Sequence, residues 1–155
     1  MSSSHSQEWD DEKTLTEFLV VIRSYGSPGH VELSFHRRKL EAELPAHCME
    51  VLVPLLRAWE RPTPLGLPQS IAHGLTRNEL VQKIAEWSGN VHNPPCEPAS
   101  VKKGVHRLRR RLATLVFGRW DETSRAWAKQ FLSYSKGIGY RLSLDDPSIK
   151  IIIKP

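Results

Sequence analysis

Residues 98–116, PASVKKGVHRLRRRLATLV, decide the fold. Val101, Val105, Leu108, Leu112 and Leu115 recur at the spacing of one face of an α-helix, so that face must be buried against a core. Lys103, His106, Arg107 and Arg110 fall on the opposite face, with Lys102, Arg109 and Arg111 flanking it. From Lys102 to Arg111 there are six Lys or Arg residues and no acid. Glu97 and Pro98 suit the start of this helix, because a proline's missing amide is no loss in the first turn. A helix face this cationic repels itself in isolation. The major groove of a nucleic-acid duplex admits a helix and offers phosphates and base acceptors to Arg and Lys. A merely solvated basic face is the plainer interpretation, and the neighbouring elements weigh against it.

Upstream of this helix, Thr76 is followed three residues later by Glu79, a capping-box spacing. Leu80, Ile84 and Trp87 then continue on one face until Ser88-Gly89, which predicts a short helix. Downstream, two apolar stretches flank Gly137-Ile138-Gly139, the pattern of a hairpin whose turn needs positive φ. Between them, Asp121–Gln130 fits a further short helix. Trp59, Trp87, Trp120 and Trp127 sit at helix-like positions and are expected as core anchors rather than stacking platforms for single strands.

Nearer the N-terminus, Val31, Leu33 and Phe35 alternate with polar residues, as do Leu40, Ala42 and Leu44, predicting two strands. Pro45 opens a helix carrying Met49, Leu52, Val53, Leu56 and Trp59, in which Pro54 should introduce a kink. Residues 61–74 hold three prolines and two glycines and are expected as a loop. Leu15, Phe18, Leu19 and Ile22 have helical spacing behind a cluster of acids, so an amphipathic helix is expected from about Asp10 to Tyr25. The end, IKIIIK, is expected to add a sheet-edge strand.

The 155 residues contain 22 Lys plus Arg against 17 Asp plus Glu, a formal net charge of +5. That total matters less than its placement, because residues 7–17 carry five acids and one lysine while the positive charge gathers around residues 102–111. One domain is expected over residues 30–155, after an N-terminal tail and helix at 1–29. Apolar runs are far shorter than a membrane span, and no basic-then-apolar leader begins the chain, so a cytoplasmic protein with no membrane partner is expected. Cys48 and Cys96 are expected to be free thiols. His92 and Cys96, with His47 and Cys48 elsewhere, lack the paired spacing of a zinc site. No nucleophile elbow is present, and Gly137-x-Gly139 is too short for a dinucleotide fingerprint. Neither an enzyme nor a cofactor is expected.

In that order of elements the chain resembles the effector domain of OmpR/PhoB-type response regulators. The resemblance rests on Leu75-Thr76-Arg77-Asn78-Glu79-Leu80, on Ser100-Val101 with Leu108-Arg109-Arg110-Arg111-Leu112, and on Gly137-Ile138-Gly139-Tyr140-Arg141-Leu142. It covers roughly residues 30–144 without the family's receiver domain, so phosphorelay control is not expected. What it implies is an α+β winged helix-turn-helix with N-terminal antiparallel strands, three core helices and a C-terminal wing hairpin. The helix expected before residue 30 would be an addition to it. The resemblance further implies a sequence-specific binder of double-stranded DNA, probing the major groove with helix 98–116 and using the 132–142 hairpin as wing. Lys102, Lys103, His106, Arg107, Arg109 and Arg110 would then meet DNA from the helix, and Lys136 and Arg141 from the wing. A homodimer on two half-sites suits such a regulator. A rival from another class is a winged-helix module that docks on a protein, such as RNA polymerase or a phage or host factor. Structured RNA is a third candidate ligand.

Overall fold

The computed structural model describes residues 15–60, 74–143 and 150–155. Its first element corrects the expectation of an N-terminal helix: Glu17–Val21 form a strand, β1. The part of that expected helix before residue 15 lies outside the described residues. β1 is an interior strand, and Phe18, Leu19 and Val20 are all buried. A strand covered on both faces has a continuous apolar run, and such a run satisfies a helical template as easily as a strand.

β2 (Gly29–Ser34) and β3 (Lys39–Leu44) form the antiparallel pair that the alternation predicts, with Val31 opposite Ala42 and Leu33 opposite Leu40. β1 pairs antiparallel with β2, and its other edge pairs in parallel with the C-terminal strand Lys150–Lys154, giving the order β3-β2-β1-C-terminal strand. The expected strand in the tail is therefore present, at the edge of the sheet.

α1 (Ala46–Glu60) buries Cys48, Met49, every residue from Val51 to Leu56, and Ala58. A helix apolar on nearly all sides belongs in the middle of a core, and α1 contacts both of the next two helices. It runs through Pro54 as one element of 15 residues. The expected loop at 61–74 lies, up to residue 73, outside the described residues.

α2 (Arg77–Ser88) begins with the predicted capping box. The Glu79 amide donates to Thr76 Oγ1 at 3.2 Å and the Thr76 amide donates to Glu79 Oε1 at 2.8 Å. α3 (Pro98–Phe117) follows, then α4 (Glu122–Phe131), capped reciprocally by Asp121 and Ser124. β4 (Leu132–Ser135) and β5 (Gly139–Leu142) make the predicted hairpin, and the C-terminal strand of the large sheet is β6. The whole is a mixed α+β fold. No helix among the described residues is long and apolar enough to cross a membrane.

Phe18, Leu33, Met49, Leu52, Leu108 and Leu112 are among the fully buried side chains that join the sheet, α1 and α3 into one core. Phe18 meets Phe131 edge-on at 5.5 Å, and Phe131 stacks on Trp127 at 5.3 Å, so α4 also closes on the sheet. Trp59, Trp87 and Trp127 pack against this core as expected. Trp120 does not: it stands beside the outer face of α3, with its ring 5.8 Å from that of His106.

Candidate nucleic-acid interface

α3 is held by the stripe its spacing predicts. Val101, Val105, Leu108 and Leu112 are each at most 1% exposed, whereas Leu115 is only half-buried and Ala113 and Val116 complete the seam instead. Gly104 sits in the same seam. A Cβ there would lie 2.7 Å from Val51 Cγ2, so the glycine lets α3 settle directly on α1.

Lys102, Lys103, His106, Arg107, Arg110 and Arg111 are exposed. Among the described residues, no Lys or Arg of this group has an acid within ion-pair distance. Arg110 lies 5.9 Å from the centre of the Trp120 ring, so one indole orders two side chains of this face, Arg110 and His106.

Arg109 departs from the expectation. Its guanidinium turns inward and donates to the Leu132 carbonyl from both Nε (2.9 Å) and Nη2 (2.6 Å). Burial pushes its pKa below the usual guanidinium value, but the group stays charged. Arg109 is therefore a strut between α3 and the first residue of the hairpin, not a free cation on the outer face.

The hairpin is tied to the helices a second time. Leu75 forms an antiparallel bridge with Tyr140, Leu75 N–H donating at 2.9 Å and Tyr140 N–H donating back at 2.7 Å. Gly137 and Gly139 both have positive φ, +85° and +101°, as the turn demands. At Gly139 a Cβ would also lie 2.2 Å from the Leu75 carbonyl oxygen, so this glycine admits the bridge. Lys136 is exposed in the turn, whereas Arg141 is half-buried on β5 with its carbonyl accepting from Ser133 Oγ at 3.3 Å.

Between α3, the start of α2 and the hairpin lies a groove of about 390 Å³ lined by Arg77, Lys102, His106, Tyr134 and Tyr140, with Arg109 at its base. Arg77 and Tyr134 were absent from the sequence-predicted set. Arg77 stands in the exposed first turn behind a recognisable cap, which was the available signal. Tyr134 is 51% exposed beside Tyr140; its place on the outer side of the hairpin depends on register.

Among the described residues, no three of His47, Cys48, His92 and Cys96 bring their donor atoms together. Cys48 is buried, and burial pushes its thiol up to about 11. Among the described residues, the donor atoms that do cluster, within 4.8 Å, belong to His30, Glu32 and Glu41 on the outer side of the sheet. Glu32 of that group is already paired with Lys39, whose Nζ lies 2.6 Å from Glu32 Oε1. Comparison with protein-family models, with curated proteins and with solved structures finds no match to this chain.

Proposed function

We propose that the chain is a winged helix-turn-helix protein that binds double-stranded DNA sequence-specifically and regulates transcription. α3 enters the major groove, α2 is the supporting helix, and the β4–β5 hairpin is the wing. The observation that carries this is the outer face of α3. Its cations stand exposed with no acid among the described residues to satisfy them, on a helix whose opposite side is pinned to the core. Lys103, Arg107 and Arg110 meet base edges and phosphates at the centre. Lys102 and His106 border the groove toward the hairpin, where Arg77, Tyr134 and Lys136 meet the flanking backbone. A good Arg–guanine pair contributes about 1–3 kcal/mol of discrimination, while the phosphate contacts supply most of the affinity.

The proposed relation to OmpR/PhoB-type effector domains carries two differences. α4 stands between the recognition helix and the wing, and β6 adds a parallel strand to the N-terminal sheet. The Arg109 strut and the Leu75 bridge keep the hairpin beside α3 despite the inserted helix.

The test is selection of bound fragments from random duplex DNA, followed by gel shifts on the enriched sequence. Binding should weaken by orders of magnitude between about 50 and 200 mM salt, because several phosphates are engaged. The double variant Arg107→Glu/Arg110→Glu should fold as the parent does and lose the shifted band. An unchanged shift would overturn the assignment. Retention of a protein partner at high salt, with no enriched DNA, would favour the docking-module alternative.

A further inference from the structure

We infer that the cleft between β3 and α3 is a docking site for the chain's own acidic segment, Glu8 to Glu12. The cleft encloses about 590 Å³, within the range of pockets that hold a small ligand or one large side chain with its neighbours. Its floor is apolar, made by Ala42, Leu44 and Leu115, and its rim is cationic, made by Arg107, Arg110 and Arg111 with His47. No acid is among the described residues that line it. The chemistry that fits is a flat apolar side chain flanked by several carboxylates. Glu8-Trp9-Asp10-Asp11-Glu12 supplies this, four carboxylates around one indole.

Geometry allows the contact. β1 is preceded by Leu15 and Thr16, and Thr16 pairs with Ser34 at the end of the sheet where β3 begins. β3 is an edge strand two places from β1, roughly 10 Å across the sheet, and Ala42 lies roughly 10 Å along β3 from Lys39. Glu8 and Trp9 precede Leu15 by seven and six positions, a reach of roughly 20–25 Å for extended chain, which brings them to Ala42 with Asp10, Asp11 and Glu12 on the approach. The tether holds the segment at a high effective concentration beside the cleft, so individually weak surface ion pairs add to a populated contact. Arg107 and Arg110 are also groove contacts in the proposed function. Resting on that reading, segment and DNA compete for them, and the docked segment lowers DNA affinity.

The experiment uses the full chain labelled with ¹⁵N. Its variants are Glu8→Gln/Asp10→Asn/Asp11→Asn/Glu12→Gln, which removes the carboxylates, and Arg111→Glu, which reverses a rim charge. Trp9→Phe assigns the Trp9 indole N–H resonance. In the parent this resonance should lie away from its free-peptide position, and both variants should return it there. The carboxylate variant should also shift the amides of Ala42, Leu44 and Arg111. A Trp9 resonance already at the free-peptide position in the parent, or cleft amides that superimpose in parent and variant, overturns the docking. On duplex DNA at low salt the carboxylate variant should bind on the order of tenfold tighter. Tighter binding without cleft shifts means diffuse repulsion by the segment and overturns the proposal. Cleft shifts with unchanged DNA affinity uphold the docking and count instead against Arg107 and Arg110 as groove contacts.

Discussion

Arg109 shows how far composition misleads at the scale of one residue. Within the run from Lys102 to Arg111 it is indistinguishable from its neighbours, yet it alone donates two hydrogen bonds to a backbone carbonyl, that of Leu132. Hydrogen bonds made by a charged group hold about 1.5–3 kcal/mol, so Arg109→Ala should lower stability by about 2 kcal/mol in urea titrations. DNA affinity of its folded fraction should change less than that of Arg107→Ala. An unchanged denaturation midpoint would remove the strut. Cys48 gives a second prediction at this scale. Burial raises its pKa to about 11, while an unfolded thiol titrates near 8.5. Above about pH 9 the unfolded chain releases this proton and the native chain keeps it, so stability must fall as pH rises toward 11. Tyr25, raised by burial and by its hydrogen bond to Glu50, acts in the same direction at higher pH. Cys48→Ala should flatten the first part of that alkaline decline, and an identical pH profile in parent and variant would refute the cause.

Among the elements, those specified by local chemistry were foreseeable. Thr76 with Glu79, Pro98 in the first turn of α3, and Gly137 with Gly139 each fix a helix start or a turn through atoms a few residues apart. β1 was not foreseeable in this way. Leu15, Phe18, Leu19 and Ile22 carry a helical spacing, and what makes the segment a strand is its two neighbours, β2 and β6, of which β6 comes from the other end of the chain. The site divides likewise. The outward cations of α3 followed from its periodicity, whereas Arg77, Tyr134 and the cleft beside β3 depend on how elements meet. The hairpin offers a direct test of such a meeting. Alanine at Gly137 faces open space and incurs only the positive-φ cost, about 1–2 kcal/mol. Alanine at Gly139 must also push Leu75 away and break both hydrogen bonds of the bridge to Tyr140. Its cost should exceed roughly 3 kcal/mol, and equal melting points for the two variants would show that the close approach is not what Gly139 serves.

For the whole molecule, the decisive feature is that both ends of the described chain meet in one sheet, with β1 and β6 in parallel register from Glu17 opposite Lys150 to Val21 opposite Lys154. That pairing closes the fold on the side of the sheet away from the β3 cleft, and it leaves β6 as the edge. Lys150 and Lys154 bracket its three isoleucines, so a second β6 laid antiparallel would set lysine against lysine, which discourages self-pairing. Removing residues 150–155 tests this arrangement. Ile151 and Ile153 are half-buried against the core, and their loss should reduce stability by about 2–3 kcal/mol. The truncation also uncovers the edge of β1, whose Phe18-Leu19-Val20 run carries no lysine. The truncated chain should therefore form concentration-dependent oligomers in light scattering at salt concentrations where the full chain's mass does not change. A truncated chain with the full chain's melting temperature and mass would mean that β6 neither completes the core nor protects β1.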